Sequence, residues 1–164
     1  MIDVRTEVGV LLARELETFA REIELFPDDQ APWRTPPGIT NSAGVLARHV
    51  CGNLKHFVGS VLGGSGFVRD RDAEFAACAG SRAELAGELR QTAALVAESL
   101  PRLEEAVLAR PYPQPVAGVE VPCDRFLLHL CSHLALHLGQ AGYLRRVVTG
   151  DARSANPVSV RLLA

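Results

Sequence analysis

From Phe126 to Gln140 the chain is apolar enough to be buried, yet a histidine recurs at every fourth position: His129, His133 and His137. On an α-helix a four-residue step advances about 40°, so the three imidazoles span roughly an 80° arc, and Gln140 falls inside it. An unpaired buried polar group costs about 1–3 kcal/mol. A row of imidazoles on a core-facing stripe therefore needs either a hydrogen-bond network or a metal ion. This restricts the chain to folds in which a long helix buries that stripe against other helices.

Apolar spacing supplies those helices. Val4, Val8, Leu11, Leu12, Leu16, Phe19, Ile23 and Phe26 recur at three- and four-residue steps, which predicts a first helix over 4–26 with Arg14, Glu15, Arg21 and Glu22 on its other face. Pro27 ends it, and a proline-rich loop follows with Trp33 expected as a lid over the bundle end, a substrate-facing place being the alternative. Thr40-Asn41-Ser42 offers N-cap chemistry for a second helix over 41–62, whose stripe holds Val45, Leu46, His49, Asn53 and Leu54. His49, Asn53 and His56 lie within about 60° of one another on such a helix. Gly63-Gly64-Ser65-Gly66 follows a helix and lacks the Lys-Ser/Thr ending of a phosphate loop. The charged stretch Arg69 to Phe75 reads as a solvated linker with local ion pairs, a brace for a dimer or a pocket mouth being the other reading.

Ser81 and Glu84 form a capping box for a third helix over 81–109, which Pro101 must end or kink. Val119-Glu120-Val121 suits a brief extended pairing before a fourth helix over 122–149, and a tail, 151–164, completes the chain. The expected fold class is all-α: one domain, residues 1–164, built as a four-helix bundle with long connections.

Composition removes several functions. With 48% hydrophobic and 22% charged residues in 164, the chain has the balance of a globular domain. A formal charge of −2 gives no electrostatic case for nucleic acid or an anionic membrane. No uncharged apolar run reaches the roughly 18 residues of a membrane span, and the N-terminus does not read as a signal peptide. Cys51, Cys78, Cys123 and Cys131 make neither a C-x-x-C pair nor a small-domain disulfide pattern, so free thiols in a reducing cytoplasm are expected. Lys55 is the sole lysine beside many arginines, a codon bias that suggests a GC-rich bacterial genome.

All five histidines fall on two predicted helices, and on their buried stripes. Neutral imidazole is the commonest nitrogen ligand of a metal, and H-x-x-x-H on a helix aims two at one ion. A third from another helix leaves open positions, as catalytic metals require. Spacing leaves the pair as His129/His133 or His133/His137, and the second-helix ligand as His49 or His56. No carboxylate lies on the fourth-helix stripe, which argues against a di-iron bundle, and H-E-x-x-H is absent.

Several segments together resemble one family. They are Asn41-Ser42, His49-Val50-Cys51-Gly52-Asn53, the run His129 to Gln140, and Tyr143-Leu144-Arg145-Arg146. In that combination the chain resembles the DinB/YfiT-like four-helix metalloprotein superfamily, and Arg69 to Phe75 is similar to one uncharacterised subgroup of it. The resemblance implies His49, His133 and His137 as ligands of a divalent metal, zinc or nickel by preference. His129 then stands behind the ligands or as a hydrogen-bonded core residue, while Asn53 and Gln140, each on its ligand stripe, are candidates to orient a ligand or bound water, an ordinary buried amide being the other reading. The resemblance also implies a bundle that is not simply up-down-up-down, frequent homodimers, and a small-molecule substrate. Relatives act as transferases using low-molecular-weight thiols such as mycothiol or bacillithiol. The alternatives are a metal-dependent hydrolase and a non-catalytic, metal-stabilised bundle of the stress response.

Overall fold

A computed structural model describes residues 3–157 and 160. Four long helices make the bundle: α1 (Val4–Glu24), α2 (Ala43–Leu54), α4 (Arg82–Ser99) and α6 (Cys123–Thr149). Two short ones, α3 (Arg71–Ala76) and α5 (Glu105–Leu108), lie in the connections. Local chemistry fixes the ends. Asp3 caps α1, Ser42 caps α2 by accepting from the Val45 N–H, and Ser81 and Glu84 close the expected capping box on α4. Gly150, at φ +69°, ends α6 in the left-handed conformation that favours glycine.

The third helix is shorter than the sequence suggests. Pro101 has no N–H to continue the ladder, so α4 tightens into a 3-10 turn at Leu100–Arg102, and α5 stands apart. The second helix runs to Leu62, but from Lys55 onward it winds as a π-helix. The extended pairing before α6 is present as a Tyr112 N–H donating to the Val121 carbonyl at 2.8 Å.

Contacts along the helices fix their directions. Gly9 of α1 faces Leu100, while Glu24 meets Arg90, so α1 and α4 are antiparallel. Glu22 of α1 meets Arg145, and Glu15 lies level with Ala135, so α1 and α6 run parallel. His49 meets His137, and Phe57 meets Phe126, making α2 and α6 antiparallel. Arg48 and Lys55 both reach Glu88, and Gly59 faces Leu95, so α2 and α4 are parallel neighbours. The order is up, down, down, up, with α1 diagonal to α2. Parallel neighbours cannot be joined by a tight turn, so residues 63–81 run back along the bundle and carry α3 with them.

The core is the apolar stripe of each helix, including Leu12, Leu16, Phe19, Leu89, Leu127 and Leu130. Trp33 packs flat against α2, where a Cβ on Gly44 would come within 2.7 Å of its ring, and its Nε1–H donates to the Gly80 carbonyl at 2.9 Å. Glu15 and Glu22, expected on the wet face of α1, are 4% and 2% exposed. The reason is pairing. Arg14 takes Glu15, and Glu22 accepts from the fully buried Arg145 Nε at 2.5 Å. Arg145 also donates to the carbonyls of Asp151 and Arg153, tying the segment after α6 to the bundle.

Removing one partner of such a pair leaves the other charge buried. Glu22→Ala should therefore cost about 3–5 kcal/mol, read as a lowered urea midpoint at unchanged m-value. A midpoint equal to that of the unsubstituted chain would show that α1 and α6 do not depend on the pair.

Candidate metal centre

The antiparallel pairing of α2 and α6 sets His49 level with His133 and His137. Their ligand atoms all lie within 4.8 Å of one another. His133 Nε2 is 3.3 Å from His49 Nε2 and 3.1 Å from His137 Nε2. An ion bonded to two imidazoles at 2.0–2.1 Å in tetrahedral geometry holds them about 3.3 Å apart. The other ring nitrogens are occupied. His49 Nδ1 lies 3.1 Å from Glu74 Oε2, and His137 Nδ1 lies 2.8 Å from Gln140 Oε1. Those oxygens match an Nδ1–H on both rings, an arrangement that turns both Nε2 lone pairs inward.

His133 Nε2 faces both lone pairs with at most one proton. One of the two contacts must therefore be lone pair against lone pair, a repulsion that a cation at their meeting point relieves. Protonation offers no escape. Burial first, then the neighbouring His137 and His49, push the His133 pKa down to about 4, and burial also lowers that of His49. His133 and His49 are thereby held toward the neutral form, the one that binds metal.

The residues beside His49 come from a segment read as solvated linker. That expectation is corrected here: Asp70 caps α3, and Glu74 on it is only 8% exposed. Both of its oxygens accept from Arg69, from Nε at 2.6 Å and Nη2 at 2.7 Å. Glu74 enters over Gly52, where a Cβ would lie 1.9 Å from Oε1. Phe75 closes the other side, its ring 4.8 Å from that of His49. A carboxylate does stand beside the ligand set, brought from outside the helical stripes, but Arg69 and His49 hold its oxygens.

The remaining candidates separate. Gln140 meets His137, as above. Asn53 is buried with no hydrogen-bond partner for its Oδ1, and none of its bonds reaches a histidine. His129 is exposed, stacked on Phe126 with ring centres 5.9 Å apart, so it leaves the buried stripe on which all five histidines were expected. His56 pairs with Gln114 at 3.0 Å. His56 lies two turns further along the second helix than His49, roughly 10.5 Å down the axis, where its neighbour Phe57 meets Phe126 rather than His133 and His137.

The model of the DinB superfamily matches residues 11–141. The chain belongs to the DinB superfamily. A crystal structure of a conserved protein from Enterococcus faecalis superposes with a TM-score of 0.73 at 17% identity, covering 92% of this chain and 100% of that one. At that identity the likeness speaks for the fold alone. The search among curated proteins found no match.

In this DinB-superfamily chain a cleft of about 610 Å³ opens beside His137 and Gln140. The loop at Ile39 and the C-terminal half of α6, with Tyr143 and Val147, form its walls, and none of the described residues lining it is charged. Ile39, Tyr143 and Val147 are 44%, 76% and 66% exposed, an unusual concentration of wet apolar surface. No helix among the described residues is long and apolar enough to cross a membrane.

The cysteines do not serve the site as nucleophiles. All four are free; burial pushes the thiol of Cys51 up to about 12 and that of Cys131 up to about 11, and raises that of Cys123. A raised pKa leaves the unreactive protonated form at neutral pH. Iodoacetamide at about pH 7.5 should thus modify exposed Cys78 in the folded protein, and all four cysteines only after denaturation, as counted by intact mass. Rapid modification of Cys131 in the native state would contradict this.

Proposed function

We propose that this chain binds one divalent metal ion through His49, His133 and His137 and uses it to transfer a small thiol to an uncharged electrophile. The observation that carries the reading is the convergence of three imidazoles, two of which, His49 and His137, set their Nδ1 atoms against acceptor oxygens and turn Nε2 toward His133. Imidazole donors suit zinc and nickel. An ion held there supplies positive charge that favours the thiolate form of a small thiol near neutral pH.

The protein's own residues do the rest. Glu74 and Gln140 orient His49 and His137. The cleft beside His137 takes the electrophile, and its uncharged walls favour a neutral, apolar body. Sulfur then bonds to the electrophilic carbon while the leaving group departs with its electron pair. The sulfur must come from outside the chain, because Cys51, Cys123 and Cys131 are buried or held protonated, and Cys78 is not among the clustered residues. Hydrolysis fits less well, because Arg69 and His49 already engage Glu74, the carboxylate beside the ligands, and leave it unsuited as a general base.

Elemental analysis of untagged protein should find about one equivalent of zinc or nickel, lost in each of His49→Ala, His133→Ala and His137→Ala. No metal, and no uptake of added Zn²⁺ or Ni²⁺, would remove the basis of the reading. With a small thiol and a neutral aryl halide as probe substrates, Val147→Asp should raise KM by about tenfold or more, since it sets a charge on the apolar wall, with kcat little changed. An unaltered KM would place the electrophile elsewhere.

A further inference from the structure

The segment between α2 and α4 needs only to span the bundle, and a solvated chain would do so. Instead it buries a carboxylate. Burying an unpaired carboxylate is costly, and pairing with Arg69 alone rarely makes such burial favourable. Three separate features accommodate Glu74. Arg69, five residues earlier, donates to both carboxylate oxygens and fixes the orientation of the group. Gly52 on α2 leaves the space that Glu74 occupies, since any Cβ there would overlap Oε1 at 1.9 Å. Asp70 accepts from the Ala73 N–H, starting the short helix that aims Glu74 inward.

What these features serve is a single nitrogen, His49 Nδ1, 3.1 Å from Glu74 Oε2. Arg69 Nη2 also lies 3.3 Å from that nitrogen, but its shorter contact is with the carboxylate. We propose that Glu74, locked by Arg69 and admitted by Gly52, is a positioning residue that fixes His49 as the Nδ1–H tautomer with its Nε2 lone pair turned to His133 and His137. Gln140 holds His137 in the same tautomer, but as an exposed neutral amide on the same helix. The charged and buried member of the two is Glu74.

The inference rests on the metal reading only where affinity is measured; the tautomer is a property of the metal-free chain. In the unsubstituted full-length protein, ¹⁵N NMR of the histidine side chains should show His49 protonated at Nδ1. Glu74→Gln and Gly52→Ala should both shift it toward the Nε2–H form, although Gly52→Ala alters no polar group. Zn²⁺ affinity, from competition with a chelator, should fall about 10–100-fold in each. Circular dichroism melting checks that each variant folds. Should Glu74→Gln fail to fold, the unsubstituted spectrum and Gly52→Ala still decide. His49 protonated at Nε2 in the unsubstituted chain would overturn the proposal. So would a His49 tautomer and a Zn²⁺ affinity unchanged in Gly52→Ala. If the protein binds no Zn²⁺ yet His49 keeps a Glu74-dependent Nδ1–H, the metal reading fails and the positioning of His49 by Glu74 stands.

Discussion

Two neighbouring helices that run in the same direction force a return along their whole length. In this bundle α2 and α4 are such a pair, and the return path, residues 63–81, sets the character of the site. A hairpin between antiparallel neighbours would have left the outer side of His49 to solvent or to another helix. The crossover instead lays an irregular segment across the middle of α2, where one short helix can present Glu74 to His49. The glycine needed for that approach sits one turn along α2, at Gly52. Topology thus comes before chemistry here: the up-down-down-up order creates the path, and the path carries the residues that hold a ring in place.

Two of the buried ion pairs divide the labour within the fold. Arg145 with Glu22 joins α6 to α1 and gathers the carbonyls of Asp151 and Arg153, far from the histidines. Arg69 with Glu74 lies at them. Neither is a cheap source of stability, since desolvating two charges offsets most of their attraction. Each specifies geometry instead. The first fixes how the last helix and the segment after it sit on the first, and the second fixes one imidazole.

Most of the bundle was legible because it rests on periodic signals. Apolar spacing and capping chemistry located all four long helices, and Ser42 and Ser81 with Glu84 marked ends that depend on local hydrogen bonding alone. His133 was common to every pairing that spacing allowed. The choice of His49 over His56 was not legible from spacing, because which of them stands level with His133 and His137 depends on the register of α2 against α6, a tertiary fact. Glu22 and Glu15 looked like surface charges because burial depends on which arginine lies opposite, and that is a tertiary fact. Glu74 was hidden for the same reason. Alternating charge in a linker reads as solvated, and only the crossover's path over Gly52 turns one of those charges inward. A glycine inside an otherwise good helix, level with a candidate ligand, was the one available hint of close approach.

Charge balance at the site follows from these contacts and narrows its chemistry. Burial and its two neighbouring imidazoles hold His133 in the neutral form, and burial pushes His49 the same way. Glu74 and Arg69 cancel each other. A divalent ion bound by such a set would keep its full double charge with no protein carboxylate to offset it, so its open positions would favour an anionic ligand. The adjoining cleft supplies no anion, because none of its described walls is charged. In the proposed function that anion arrives with the small molecule, as a thiol that ionises on binding, while the second reactant meets apolar walls and Tyr143. With an ion in place, such a site would separate a nucleophile that carries charge from an electrophile that does not.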